Sequence, residues 1–186
     1  SDGRADAVVL NSGGANACTG APGFQDTHRT AEHVGEVLRV AAGDVVVCST
    51  GLIGERLPMG LLLPGVEAAV EELSVDGGPA AATAIMTTDS VPKTATAVRD
   101  GWSVGGMAKG AGMLAPALAT MLVVITTDAV IAAAHVADDL DAVLRSATAM
   151  TFDRIDSDGC MSTNDTVLLM ASGASGTTVA LADLTD

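Results

Sequence analysis

Residues 105–129 read GGMAKGAGMLAPALATMLVVITTDA, and the order of residue types in this stretch decides how the middle of the chain folds. Met121–Thr127 is a run rich in Val, Ile and Thr, which favour the extended state, so it predicts a buried strand. The segment Gly105–Gly112 is rich in glycine and predicts a loop, and Pro116 permits a turn directly before the strand. The stretch therefore predicts a loop, a turn and a strand in that order.

On both sides of this stretch, short apolar runs alternate with segments of helical periodicity. The apolar runs predict further strands at Ala7–Leu10, Asp44–Cys48 and Asp165–Met170. Four helices are predicted. The first is capped by Asp26 or Thr27, the second covers Pro58–Leu73, the third is Ala-rich and ends near Met86, and the fourth spans Asp138–Ala149. An Asp-Gly turn at Arg99–Gly101 predicts a hairpin between Thr94–Val98 and Trp102–Val104. The irregular alternation of helices and strands predicts a mixed α/β or α+β fold.

The bulk composition limits the class of protein. A length of 186 residues predicts one domain, with two as the second choice, and a hydrophobic share of 48% can supply a core. The formal net charge of −14, with no run of Lys or Arg, excludes nucleic acid as a partner because a phosphate backbone would be repelled. No apolar run is long enough to span a membrane and the polar N-terminus is unlike a signal peptide, so no membrane association is expected.

The possible metal-binding and redox residues are few and far apart. They are Cys18, Cys48, Cys160, His28, His33 and His135. An odd number of cysteines without a C-x-x-C pair predicts reduced thiols, and the reading that fits best is a cytoplasmic protein. The segment Asn11–Asn16 matches no phosphate-binding loop, and Asp153–Gly159 lacks the spacing of a calcium loop. No metal and no cofactor are therefore expected.

Thr120 stands at the start of the predicted strand and follows the small residue Ala119. A threonine hydroxyl is a weak nucleophile until a base removes its proton, and cleavage before the threonine would free an α-amino group suited to that task. A strained turn before the threonine, which Pro116 and the glycine-rich segment permit, would assist such a cleavage. A threonine at the start of a strand is also common without any catalytic role, and the residues alone favour that interpretation.

Three other segments could carry chemistry. The turn Ser49–Gly51 could direct backbone N–H groups and a hydroxyl at an oxyanion, or be an ordinary turn. Lys109 lies between apolar residues and glycine and could bind a carboxylate, or lie on a surface loop. The hydroxyls of Thr87–Asp89 could bind a polar substrate, with helix capping or a local turn by Asp89 as the alternative.

Five segments, taken together and in this order, resemble the ornithine acetyltransferase family, also called glutamate N-acetyltransferases. The segments are Leu10–Gly20 (LNSGGANACTG), Cys48–Met59 (CSTGLIGERLPM), Ala84–Lys93 (AIMTTDSVPK), Gly105–Ala129 as quoted above, and Thr151–Leu169 (TFDRIDSDGCMSTNDTVLL). The resemblance covers nearly the whole chain and outweighs the ordinary structural interpretation of each segment alone.

The resemblance implies a mixed α/β layered fold and a precursor that cuts itself between Ala119 and Thr120. Residues 1–119 would then be the C-terminal part of the α chain, and residues 120–186 the N-terminal part of the β chain. In the family such α/β pairs associate further, giving a heterotetramer. The reaction, a step of arginine biosynthesis, moves acetyl from N2-acetyl-L-ornithine to L-glutamate. Some members also use acetyl-CoA as a donor and are multifunctional.

The family motifs also imply a role for each candidate residue. Thr120 would be the nucleophile and would also contact substrate, and Thr50 and Gly51 would form the oxyanion hole. Lys109 and Thr87, the latter favoured over Thr88, would hold the substrate. Two alternatives stand beside this interpretation: a self-cleaving, aminopeptidase-like hydrolase, and an inactive fragment. The second arises because family members extend beyond this sequence at both ends.

Overall fold

The computed structural model describes residues 3–132 and 136–184, so His135 lies outside the described residues. The chain divides into two compact units, Gly3–Thr87 and a second unit that begins at Thr88. This division agrees with the second choice that the length left open. Each unit has buried apolar clusters of its own.

The first unit is a pair of parallel strands with helices packed against it. Its elements are β1 (Ala7–Gly14), α1 (Gly20–Leu38), a 3-10 helix (Ala42–Asp44), β2 (Val45–Leu52), α2 (Met59–Glu71) and α3 (Gly78–Ala84). Strands β1 and β2 can be parallel because α1 supplies the crossover between them. One buried valine each from α1, β2 and α2 forms the apolar cluster of this unit: Val34, Val45 and Val66.

Two sequence predictions for this unit are wrong in detail. The turn predicted at Ser49–Gly51 belongs to β2, because the two strands continue to pair as far as Gly14 opposite Leu52. Helix α1 begins at Gly20, so Asp26 and Thr27 lie inside it and do not cap it. Their side chains are satisfied there: Asp26 binds Arg56, and the Thr27 hydroxyl donates to a backbone carbonyl of the previous turn.

The second unit is built on a sheet of four strands in the order β3-β4-β7-β9. Its elements are β3 (Lys93–Arg99), β4 (Trp102–Lys109), β5 (Leu114–Ala115), β6 (Leu118–Ala119), β7 (Leu122–Thr127), β8 (Val130–Ile131), α4 (Val136–Met150), a 3-10 helix (Phe152–Arg154), β9 (Thr166–Ala171), β10 (Thr178–Val179) and a 3-10 helix (Leu181–Leu184). Strand β4 is antiparallel to both β3 and β7, whereas β7 and β9 are parallel and α4 lies between them in the chain.

The hairpin predicted around the Asp-Gly turn is confirmed, and Gly101 has a positive φ of 81° that suits this turn. The strand predicted at Met121–Thr127 is confirmed as β7. The loop predicted at Gly105–Gly112 is wrong over its first five residues, which complete β4. Glycine is tolerated in this strand because β3 on one side and β7 on the other supply hydrogen-bond partners to its backbone.

Side-chain alternation along β7 separates two faces of the sheet. Met121 and Val123 pack with Leu114 and Ala119 in a buried cluster on one face. Leu122 points to the other face, and it is opposite Lys109 in the ladder. Lys109 therefore lies on the face away from that cluster. Within the described ranges, no helix combines the length and apolar character needed to cross a membrane.

Candidate active site

The bond between Ala119 and Thr120 lies where a short hairpin meets the main sheet. Strands β5 and β6 form this hairpin, and Ala119 is buried opposite Leu114. Two residues of the hairpin segment have left-handed backbone conformations that are costly for side-chain-bearing residues, with φ of 56° at Met113 and 60° at Ala117. The prediction that a strained turn precedes Thr120 is consistent with this backbone.

Thr120 presents a hydroxyl that is buried and has no hydrogen-bond partner among the residues that the structure describes. Its backbone nitrogen, an amide in the continuous chain, donates to the carbonyl oxygen of Met113 at 2.8 Å. An unpartnered buried hydroxyl is unusual because it loses its hydrogen bonds to water without replacement. Such groups concentrate where a site has a chemical task, and here the hydroxyl belongs to the residue that follows the strained turn.

Lys109 is 3% exposed and ends β4, two ladder positions from Thr120, since its partner in β7 is Leu122. Of the two alternatives left open for Lys109, the structure agrees with a buried lysine and not with a surface loop. Burial lowers the pKa of Lys109, the Asp89 carboxylate raises it, and the Lys93 ammonium lowers it. The net direction is a lowered pKa.

Asp89 organises the turn beside Lys109. Its side chain is fully buried, pairs with the ammonium of Lys93, and accepts a hydrogen bond from the Gly110 N–H at 2.7 Å. Gly110 has a φ of 156°, and a Cβ there would meet the carbonyl oxygen of Thr120 at 3.0 Å. The carboxylate therefore fixes a glycine turn that runs against the backbone of Thr120.

The lowered pKa of Lys109 should make stability depend on pH. Replacing Lys109 with methionine keeps the stem and removes the titrating ammonium, so this pH dependence should disappear. Because the pKa of Lys109 lies below its ordinary 10.5 in the folded chain, the unfolded state binds more protons between the two values. Wild-type stability should consequently rise with pH in that window, and the variant should lack this rise.

Urea unfolding of both proteins at neutral pH and near pH 10, an alkaline value chosen to approach the ordinary lysine pKa, measures this effect. Lys93→Met is the matched control, because it removes the ammonium that pairs with the buried Asp89 carboxylate and should destabilise the chain. A Lys109→Met variant whose stability rises with pH as much as that of the wild type would contradict the interpretation.

Thr50 and Gly51 lie near the end of β2 in the first unit. Thr50 is 1% exposed, and Gly51 has a φ of 135°. A Cβ at Gly51 would lie 2.3 Å from the carbonyl carbon of Gly13 and 2.5 Å from its oxygen. Only glycine fits here, both for its backbone conformation and for the close approach of β1. No side chain therefore stands in front of the backbone at this end of β2.

The segment that follows β2 is held by an ion pair. Arg56 donates from Nε and Nη2 to the two carboxylate oxygens of Asp26, each at 2.8 Å. The hydrogen bond and charge of Arg56 lower the pKa of Asp26 despite the burial of that carboxyl. A bidentate pair of this kind fixes direction as well as distance. The pair connects the segment that follows β2 to α1.

The candidate residues fall in two places in the chain. The second unit brings together Lys109 and Thr120, whereas Thr50 and Gly51 belong to the first unit, and Thr87 is the exposed last residue of that unit. From the sequence, Asp89 was predicted only to cap a helix or to form a local turn. Its hydrogen bond to Gly110 spans 21 positions, and no local pattern reveals such a contact.

In the described part of the chain, no group of three or more His, Cys, Asp or Glu is arranged to hold a metal ion.

The ArgJ family model matches residues 1–186, the full length of the sequence. The chain belongs to the ArgJ family. It is 68% identical over 176 residues to the Arginine biosynthesis bifunctional protein ArgJ of Streptomyces coelicolor, an alignment that covers 95% of this chain and 45% of that protein. The protein of the same name from Mycobacterium leprae is 62% identical over 194 residues, which cover 100% of this chain and 47% of that relative. The chain thus spans about half the length of these ArgJ relatives.

Two solved structures of ArgJ-type proteins resemble this fold. The ornithine acetyltransferase from Mycobacterium tuberculosis, in complex with ornithine, matches with a TM-score of 0.57 and 55% identity, covering 62% of each chain. The ArgJ protein from Bacillus halodurans matches with a TM-score of 0.52 and 36% identity, covering 62% of this chain and 61% of that one. The mixed fold of helices and sheets predicted from the sequence, and the family resemblance, are confirmed.

Proposed function

We propose that this ArgJ chain contains the nucleophile of an ornithine acetyltransferase and moves acetyl from N2-acetyl-L-ornithine to L-glutamate in arginine biosynthesis. The single observation that carries the proposal is the buried, unpartnered hydroxyl of Thr120 at the end of a strained hairpin. Two names support the substrate class: relatives are called arginine biosynthesis proteins, and a similar structure is an ornithine acetyltransferase complexed with ornithine.

The first step in this proposal is cleavage of the chain before Thr120. The Thr120 hydroxyl attacks the carbonyl carbon of Ala119, its proton passes to the Thr120 nitrogen, and the peptide C–N bond breaks to leave an ester. Water then hydrolyses the ester, which gives a carboxylate on Ala119 and frees both the hydroxyl and the amine of Thr120. The lack of a competing hydrogen bond to this hydroxyl leaves it available for the attack.

The second step uses the two groups that cleavage releases. The α-amine of Thr120 takes the hydroxyl proton as the oxygen attacks the acetyl carbonyl of N-acetylornithine, and ornithine leaves with that proton on its amine. Glutamate then attacks the acetyl ester through its amine and regenerates the hydroxyl. No cofactor is needed for these steps, and acetyl-CoA is a possible second donor of the same acetyl group.

The other candidate residues fit complementary roles in the proposal. Thr50 and Gly51, the latter having no side chain to obstruct an approaching oxygen, would stabilise the oxyanion. Lys109 would bind a substrate carboxylate, because burial disfavours its ammonium and the negative charge of a bound carboxylate would favour it. Thr87 would add a hydroxyl contact to the substrate.

Cleavage would leave two pieces, 1–119 and 120–186, that remain associated. The ladder of β4 with β7 joins them, from Val104 opposite Thr127 to Lys109 opposite Leu122. Their apolar side chains also share one cluster. Assembly of such pairs into a heterotetramer belongs to the proposal, as does a reducing cytoplasmic setting, which suits the free thiols of all three cysteines.

The proposal is tested by following the acetyl group. The chain is incubated with N-acetylornithine carrying a labelled acetyl, and the piece that begins at Thr120 is weighed by mass spectrometry. It should gain one acetyl group, and glutamate should then remove the label as N-acetylglutamate. Acetyl-CoA in place of N-acetylornithine tests the second donor.

Two outcomes would oppose acetyl transfer. Labelled acetate released without any dependence on glutamate would identify a self-cleaving hydrolase in place of a transferase. A cut chain that never gains the label would identify an inactive fragment. Thr120→Ser, which retains a hydroxyl, controls for loss of the fold, because it should gain the acetyl group at a reduced rate.

A further inference from the structure

A loop in the second unit surrounds the hairpin that carries the bond before Thr120. This supporting loop is residues 153–162, and hydrogen bonds connect it to each part of the hairpin. They are Met113 N to Asp158 Oδ2 (2.9 Å), Ser157 N to Leu114 O (2.9 Å), Ala117 N to Asp153 O (3.1 Å) and Ser162 N to Leu118 O (3.0 Å). These contacts hold the hairpin against residues that follow the cleavage site in the sequence.

Asp158 supplies the side-chain contact of this set. One carboxylate oxygen accepts the Met113 N–H, and the other accepts the Cys160 N–H at 3.1 Å within the supporting loop. The hydrogen bond from Met113, followed by that from Cys160, lowers the pKa of Asp158. The ionised carboxylate therefore bridges the hairpin and the supporting loop, and charge-assisted hydrogen bonds of this kind are stronger than neutral ones.

Met113 connects this carboxylate to the scissile bond. Its N–H is held by Asp158, and its carbonyl oxygen accepts the N–H of Thr120 at 2.8 Å. Between the two hydrogen bonds lies the Met113 Cα, whose φ of 56° is unfavourable for a residue with a side chain. Without the carboxylate, the backbone at Met113 can relax, and the amide of Thr120 loses its fixed acceptor.

We propose that Asp158 is a positioning residue for self-cleavage: it holds Met113 in the left-handed conformation that orients the Thr120 amide. The inference rests on the proposed cleavage before Thr120. It concerns the step in which the Thr120 oxygen bonds to the Ala119 carbonyl carbon, the C–N bond breaks, and the hydroxyl proton goes to the departing nitrogen. Asp158 touches none of these atoms and acts through Met113.

The test is the rate at which the freshly purified chain is cut, followed by intact mass. Asp158→Ala should slow cleavage about tenfold to a hundredfold, since a charge-assisted hydrogen bond is lost. Asp158→Asn should be slowed less, about threefold to tenfold, because its amide oxygen can still accept the Met113 N–H. Asp156→Ala and Asp156→Asn are matched controls in the same loop, where Asp156 accepts only the local N–H of Gly159 among the contacts described, and should cleave at the wild-type rate.

A rescue separates positioning from general support of the fold. Met113→Gly should restore most of the rate in the Asp158→Ala background, because glycine adopts a positive φ without a steric cost. Hydroxylamine, which cleaves esters, should not restore the rate of Asp158→Ala, since the affected step precedes the ester.

Each outcome decides a different claim. A wild-type chain that is never cut refutes the proposed function itself. A wild-type chain that is cut, beside an Asp158→Ala variant of equal rate, overturns the role of Asp158 alone. If Asp158→Ala does not fold, equal rates for Asp158→Asn and Asp156→Asn overturn it, and hydroxylamine rescue would move Asp158 to the hydrolysis step.

Discussion

Replacing Thr120 with alanine is expected to leave the chain in one piece and to abolish acetyl transfer. The alanine lacks the only atom that can form the ester, and an uncut chain has no free α-amine to act as the base. The rate of N-acetylglutamate formation should fall by about 10⁴-fold or more, as for the loss of a nucleophile in other covalent enzymes. Intact mass and the labelled-acetyl assay measure both effects.

The fold should survive this change, because the hydroxyl makes no hydrogen bond to the described residues and its removal leaves no partner unsatisfied. Thr126→Ala is the matched control, since Thr126 is an exposed threonine on β7, the strand that begins two residues after Thr120, and its hydroxyl contacts a backbone oxygen at 3.5 Å. That variant should be cut and should transfer acetyl like the wild type. A Thr120→Ala chain that is cut after Ala119 would exclude Thr120 as the cleaving nucleophile.

Replacing Gly51 with alanine is expected to destabilise the first unit by about 3 kcal/mol and to reduce acetyl transfer at least 100-fold. The new methyl group would lie 2.3 Å from the carbonyl carbon of Gly13 and 2.6 Å from the nitrogen of Gly14. These are backbone atoms that cannot rotate away, so β1 and β2 must separate at the proposed oxyanion hole. A φ of 135° adds its own cost for alanine.

Two other glycines of the same unit are control positions that separate the steric cost of the methyl group from the cost of the positive φ. Gly43 has open space around it and no positive φ, so Gly43→Ala should leave stability nearly unchanged. Gly54 has a φ of 85° and open space, so Gly54→Ala should show the backbone cost alone. Urea unfolding followed by circular dichroism gives the three values. A Gly51→Ala chain as stable as Gly43→Ala would contradict the close packing of β1 against β2.

The secondary structure was predictable wherever one segment carried a strong local signal. The apolar run at Met121–Thr127, the Asp-Gly turn before Trp102 and the helical spacing in Asp138–Ala149 all correspond to elements of the structure. The candidate residues Thr120 and Lys109 also came from the sequence. For them the family resemblance was needed, because a threonine at the start of a strand has no distinctive pattern of its own.

What the sequence did not reveal depends on contacts between distant residues. Gly105 and its neighbours looked like a loop because glycine has a low strand propensity, and two flanking strands override that preference. Asp26 looked like a helix cap, but α1 begins six residues before it, and its side chain pairs instead with the distant Arg56. Asp89 and Asp158 accept backbone N–H groups 21 and 45 positions away, and no spacing rule connects such residues.

The most direct test of the account is the mass and N-terminal sequence of the purified wild-type chain over time. We expect two pieces that stay together in native buffer and separate in denaturant, one ending at Ala119 and the other beginning with Thr120. A chain that remains intact while Thr120→Ala behaves identically, or that is cut at any other bond, would contradict the claim that Thr120 becomes an N-terminal nucleophile.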